Sequence, residues 1–237
     1  MKNVSPKSLK ICRTVVVAIC LFVIFALGVN PSFLGEPLVE DSAILTDVLA
    51  DYDGNPELAI DVLNRLEVKG RAPKTGYSRS EYGSGWATVE GCDMRNIMLV
   101  RGMVETVIAE DDCIVLSGTL NDPYTGKLIQ FIRGSTTSDD VQIDHVVALS
   151  DSWQKGAQIL GEEVRFQFAN NPMNLLAVDG PTNQEKGDSD AASWLPPNKS
   201  FRCQYVARQI AVKDRYSLWV TEAEKSAMIR VLNECRE

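Results

Sequence analysis

One histidine occurs in 237 residues, His145, and it directly follows Asp144 in the stretch QIDHVVALSDSW (142–153). A neutral imidazole can take a proton from water near pH 7, which makes His145 a candidate general base. Asp144 is a hard oxygen donor. Downstream come Asn174, within FANNPMNLLAVDG (168–180), and then Asn183 and Lys186 within PTNQEKGDSD (181–190). Asn183 would add an amide oxygen, and Lys186, three residues on, would share its helix face. A carboxylate, an amide oxygen and waters form a partial octahedral shell, the pattern expected of Mg2+ bound together with a substrate phosphate. A lone histidine in an apolar run is ordinarily a packed side chain. The ordered polar residues after it favour chemistry instead. Alternation along a strand would send Asp144 and His145 to opposite faces, so they share a site only if the strand ends or twists there.

The elements that must position these residues are legible in outline. NPELA (55–59) is a helix start, with Asn55 as cap and Pro56 in the first turn, and Leu58, Ile60, Val62, Leu63 and Leu66 follow at helical spacing. Gly70 is the expected stop. A shorter helix is expected around Ile44–Leu49, and a polar loop over 72–86. Apolar residues from Asn96 to Glu110 predict another helix, with Ile97, Leu99, Val100, Val104 and Val107 inward. Strands are expected over 113–120, 128–133 and 141–149, separated by NDPYTG and GSTTSDD. Strands followed by helical, Asn-rich segments predict an α+β fold. Trp153 and Trp194 read as core or loop anchors.

The N-terminus differs in kind. Lys2, Lys7, Lys10 and Arg13 precede an uncharged apolar run from Thr14 to Asn30. This reads as a secretory signal, short of the roughly 20 apolar residues of a comfortable membrane span. The expected organisation is a signal peptide or signal anchor over 1–30, a linker and helix over 31–54, and one domain over 55–237. Either reading of the segment places the rest outside the cytoplasm, anchored to a membrane only through residues 14–30 if the signal is uncleaved. Cys92, Cys113, Cys203 and Cys235 then most simply form two disulfides. Four cysteines allow three pairings, and proximity favours Cys92–Cys113 with Cys203–Cys235. A four-thiolate zinc site is the rival, disfavoured because no C-x-x-C pair exists. Beyond residue 30 the chain carries 20 basic against 32 acidic side chains, which argues against tight, sequence-specific nucleic-acid binding.

The series DHVVAL, Asn174-Leu175 and NQEK (183–186) resembles the HNH endonuclease pattern in its H-N-N form. GYSRSEYGSGW, GCDMRN, SGTLNDPYTG and WLPPN extend the likeness over roughly residues 55–236 to secreted bacterial HNH-family proteins. Those are related to the C-terminal nuclease domain of GmrSD-type restriction enzymes. The resemblance implies a ββα-metal core of short antiparallel strands and a helix, embedded in a mainly helical single domain with two disulfides. It implies that His145 activates the attacking water and that Asp144 and Asn183 hold one divalent cation, Mg2+ or else Mn2+. Asn174 would fix the loop and orient the base, and Lys186 would contact phosphate. Arg133, Lys155 and Arg165 would complete a local basic cluster. One departure stands out: Asn171 occupies a position where relatives are expected to carry aspartate, which puts the orientation of His145 in question.

The expected function is therefore an exported, metal-dependent HNH-type hydrolase that cuts phosphodiester bonds of DNA or RNA, with weak, sequence-tolerant binding and no stable protein partner. The alternative is a cell-surface binding module that keeps the fold without catalysis. A hydrolase of another phosphodiester, such as a teichoic-acid-type polymer, is the third reading.

Overall fold

The computed structural model describes residues 56–110, 113–134 and 138–235, all within the unit that runs from Ile44 to Glu237. The helix expected at 44–49, the Asn55 cap and the apolar segment 14–30 lie outside the described residues. Among the described residues no helix is long and apolar enough to cross a membrane.

Helix α1 (Pro56–Arg65) buries Ala59, Val62 and Leu63, an apolar stripe at helical spacing. It stops at Arg65 rather than near Gly70. Val68 instead bridges to Val220, and the Lys69 amide donates to the Val220 carbonyl at 3.0 Å, which uses backbone groups that a longer helix would have needed. After a polar loop with a short 3-10 turn (Arg79–Tyr82), β1 (Thr88–Val89) and β2 (Cys92–Asp93) form a small hairpin. Asp93 then caps α2 (Met94–Gly102) by accepting the Asn96 amide at 2.8 Å.

The single helix expected from Asn96 to Glu110 is divided: α2 ends at Gly102 and the chain continues as β3 (Met103–Ile108). Val104, Thr106, Val107 and Ile108 are β-branched and favour extended backbone. Gly102 also packs tightly, because a Cβ there would lie 2.8 Å from the Ala177 Cβ. Val104 and Val107, expected inward, are 62% and 53% exposed. β3 pairs with β4 (Val115–Asn121), and β4 with β5 (Leu128–Ile132), in an antiparallel sheet ordered β3-β4-β5. A bulge interrupts the β3–β4 register near Glu105, whose φ is +53°.

A second ladder builds the centre of the molecule. β6 (Val141–His145) runs antiparallel to β7 (Leu175–Asp179), with His145 opposite Leu175 and Asp144 opposite Leu176. Between them lie α3 (Leu149–Trp153) and α4 (Glu162–Asn170). β7 leads directly into α5 (Gly180–Lys186), capped by Asp179, which accepts the Thr182 amide at 2.8 Å. Gly180 is required here: a Cβ would fall 1.9 Å from the Asp139 carbonyl oxygen. Two longer helices close the fold, α6 (Arg202–Arg215) and α7 (Glu222–Glu234), the latter started by a Thr221/Glu224 capping box.

The fold is α+β, with three apolar clusters. One packs α1 against α6 and α7 around Leu63, Tyr205, Ile210 and Met228. The second surrounds Tyr82, Trp153, Phe168 and Tyr216, and the third sets α2 on the two sheets. Trp153 is a core side chain, and Trp194 packs on Tyr124 and Tyr205. Cys92 is bonded to Cys113 and Cys203 to Cys235, the pairing that sequence proximity favoured. Loops of this length gain about 3–4 kcal/mol each in the chain-entropy account.

Candidate active site

β6 ends at His145, and this resolves the alternation problem. Asp144 and His145 leave the strand in different directions, yet both border one open cavity of about 560 Å3. Asp144 faces inward, where its carboxylate accepts Lys186 Nζ at 2.8 Å on Oδ1 and the Tyr124 hydroxyl on Oδ2. Burial pushes its carboxyl above the usual range, with Lys186 opposing. His145 turns the other way and is 7% exposed. Its Nε2 lies 2.9 Å from the Ala169 carbonyl oxygen, and its ring stacks parallel to Trp86 with centroids 6.0 Å apart.

That carbonyl can only accept, so Nε2 carries the proton and Nδ1 keeps its lone pair. Burial drives the imidazole pKa down to about 3, against the bond to Ala169, which raises it; Arg79 and Lys186 depress it further. His145 is therefore neutral at physiological pH with an acceptor nitrogen.

Asn174 is fully buried and clamps the segment just after His145. Its side-chain oxygen accepts the Val147 amide at 2.8 Å, its Nδ2 donates to the Val147 carbonyl at 3.2 Å, and its backbone carbonyl accepts the Val146 amide at 2.8 Å. Two α6 residues that sequence reading missed support the same segments. Arg208 donates to the carbonyls of Pro172, Met173 and Leu175, and Gln209 donates to that of Val146 at 3.0 Å. Asn171 does not touch His145. It accepts the Met173 amide at 2.9 Å and donates to the Tyr216 hydroxyl at 2.8 Å, a pairing of roles suited to an amide.

Asn183, on α5, borders the cavity, and its Nδ2 donates to Gln142 Oε1 at 2.9 Å. The amide is thereby oriented with its oxygen left as an acceptor. Among the described residues no group of three His, Cys, Asp or Glu side chains could hold a metal. The available donors are hard oxygens, Asn183 Oδ1 and the second lone pairs of the Asp144 carboxylate. They fit a divalent cation that keeps several waters and gains further oxygens from a phosphate.

The basic residues expected to reach substrate lie elsewhere. Lys186 is buried, bonded to Asp144 and to the His145 carbonyl at 2.8 Å. Arg133 donates to the Val115 carbonyl and to Asn96 Oδ1, both at 2.6 Å, and Arg165 ties α4 to Glu81 and the Leu160 carbonyl. Lys155 is fully buried among Asp151, Asp190 and Glu224. The cations on the cavity wall are instead Lys74, Arg79 and Arg95. Lys74 pairs with Asp188 at 3.0 Å, and Ser150 donates to the same carboxylate at 2.8 Å. Nothing in the sequence pattern singled out Arg79 or Arg95, because a loop and a helix start hold them there through tertiary packing.

Residues 104–231 match the family described as GmrSD restriction endonucleases, C-terminal domain. That stretch includes Asp144, His145, Asn174 and Asn183, while Arg79 and Arg95 precede it. A protein described as "Uncharacterized secreted protein" from Arthroderma benhamiae (strain ATCC MYA-4681 / CBS 112371) is 39% identical over 180 residues, covering 75% of this chain and 84% of that protein. No solved structure matches. With more than half of the chain inside the match and a relative this similar, the protein belongs to the family of GmrSD restriction endonuclease C-terminal domains.

Proposed function

We propose that the protein is an exported, metal-dependent phosphodiesterase of the HNH type that cleaves nucleic acid. The observation that carries this reading is the neutral, oriented His145 on the wall of a cavity shared with Asp144 and Asn183. In this reading β6, β7 and α5 form the ββα-metal unit. Export fits the two disulfides and the secreted relative.

His145 Nδ1 takes the proton of the attacking water while the Nε2–H bond to Ala169 keeps the ring in place. An imidazole of such low basicity gains acceptor strength when the anionic phosphate enters beside it. Asn174 holds the backbone at Val146 and Val147, so the base cannot swing away. Asp144 and Asn183 would hold Mg2+ or Mn2+, which would neutralise charge on the phosphate and the leaving oxygen. Lys186 and Tyr124 fix the rotamer of Asp144.

The test is plasmid and single-strand cleavage by the exported domain with Mg2+, with Mn2+ and with chelator. Cleavage that needs the metal supports the reading; cleavage unaffected by chelator removes it. A pH profile adds a second check. The unprotonated base is the active form, so a depressed pKa moves the acid limb of kcat/KM downward. From pH 7 to 5, kcat/KM is expected to show no His145 limb; a limb centred near the ordinary histidine value of about 6.5 would contradict the geometry.

A second reading, an inactive module that keeps the fold, draws on one observation: both Asp144 oxygens already have partners, one of them a cation. Calorimetric titration with Mn2+ in the presence of a non-cleavable oligonucleotide separates the two. Heat that disappears in Asn183→Ala favours the enzyme, and no heat at all favours the module.

A further inference from the structure

Arg79 and Arg95 are the two arginines on the cavity wall. Arg79 leaves the 3-10 turn and also borders a smaller hollow of about 130 Å3 beneath Trp86 and His145. It makes no hydrogen bond or ion pair among the described residues. Arg95 stands on the first turn of α2, near the disulfide at Cys92, and its one side-chain hydrogen bond among the described residues is a long one, 3.4 Å, to the Ser138 carbonyl. Burial depresses its pKa and so does the neighbouring Arg133, against the more favourable Asp93 and Asp139. Asp139 also borders the cavity but makes no ion pair with Arg95.

Other cations near the site are already neutralised: Lys74 by Asp188, Lys186 by Asp144. Among the described residues these two guanidiniums face the cavity without an ion-pair partner, so they are the wall cations whose donors are left to meet an anion, with Asp139 offsetting part of their charge. The base is also recessed. With His145 only 7% exposed, the reacting phosphate must come down into the cavity.

We propose that Arg79 and Arg95 grip phosphates on either side of the one presented to His145, and that the occupant is a single nucleic-acid strand rather than a duplex. The proposal rests on the nuclease reading for its orientation, but the grip itself is measurable without cleavage. Each guanidinium offers paired donors to the non-bridging oxygens of one phosphodiester, reads no base, and leaves binding sequence-tolerant. Both residues precede the stretch matched by the family model, but the secreted relative covers 75% of this chain and so extends over both positions.

The test is fluorescence anisotropy of a labelled oligothymidylate, and of a duplex of equal length, with the full exported chain in chelator over a range of salt. Arg79→Ala and Arg95→Ala are each expected to weaken single-strand binding about tenfold. Each should also lower the slope of log K against log salt by about 0.7. Lys replacements should restore the slope and part of the affinity, and Lys199→Ala, at an exposed site away from the cavity, should change neither. Arg79 is exposed and its side chain has no bonding partner among the described residues, so its truncation carries the test even if Arg95→Ala unfolds. Unchanged affinity and slope in Arg79→Ala, with wild-type cleavage intact, would overturn the clamp and leave the nuclease reading standing. Duplex binding at least as tight as single-strand binding would overturn the choice of strand. Binding that follows the clamp in a protein that cleaves nothing would sustain the clamp and remove the nuclease reading.

Discussion

His145→Ala is expected to lower kcat by about 10^2–10^4-fold while leaving oligonucleotide affinity within a factor of about two. The reason is that, in the proposed mechanism, the side chain would touch the reacting water and not the flanking phosphates. No second histidine exists to take the proton. The fold should survive, because the substitution removes one neutral hydrogen bond to Ala169 and a ring stacked on Trp86, and relieves the burial of an imidazole. Circular dichroism and the anisotropy assay separate lost chemistry from lost structure. The cavity adjoins the vacated ring position, so added imidazole should restore part of the rate, more at higher pH where it is unprotonated. A variant that keeps half the wild-type kcat, or one whose loss is entirely in KM, would mean that His145 is not the base.

His145 stood out as a candidate because it is unique, ends a strand, and is followed in order by an Asn-Leu pair and an Asn-x-x-Lys pair. The cysteine pairing was legible for a similarly local reason, since each partner lies close in sequence. What escaped was anything decided by direction in space. Spacing put Lys186 on one face of α5 with Asn183 but could not say that its ammonium turns inward to Asp144. The second partner of Asp144, Tyr124, sat unnoticed in a segment read as a turn and as part of the family likeness. Arg133 and Arg165 looked available for phosphate because the backbone carbonyls that satisfy them are invisible until the chain folds. The β3 error has a different origin. Apolar residues at 97, 99, 100, 104 and 107 fit a helix on paper, yet β-branched side chains and the pairing with β4 override that spacing beyond Gly102. The strand pattern thus located the element that carries the proposed base and Asp144, while the helix that carries Asn183 was only assumed from its spacing to Lys186. The polar partners that orient them come from elsewhere in the chain.

The second large effect is expected at Lys155. Its ammonium is fully buried and lies 2.7 Å from Asp151, 2.8 Å from Asp190 and 2.7 Å from Glu224. Lys213 and Arg71 complete the group, so three cations face three carboxylates contributed by α3, α6, the start of α7 and three loops. Burial works to raise the Asp190 carboxyl, but Lys155, Ser193 and Arg71 hold it well below the usual carboxylate range. Its contribution to stability is therefore fully present above its unfolded pKa of about 3.9 and is lost as pH falls below that. Lys155→Met fits the space but leaves three acids against two cations. Breaking a buried pair in this way costs about 3–5 kcal/mol. Urea unfolding of the variant should register that loss. Adding Glu224→Gln restores the charge balance at two against two, so the double variant should be more stable than the sum of the singles by about 1 kcal/mol or more. Strict additivity would mean that the network does not act as a unit. The network also stands directly behind the active cavity: Asp151 adjoins Ser150 and Asp190 lies two residues past Asp188, and Ser150 and Asp188 form a wall of the cavity through their own hydrogen bond. At temperatures where Lys155→Met is still folded, KM is accordingly expected to rise before kcat falls, because the wall loosens while His145, held by Ala169 and Asn174, stays in place.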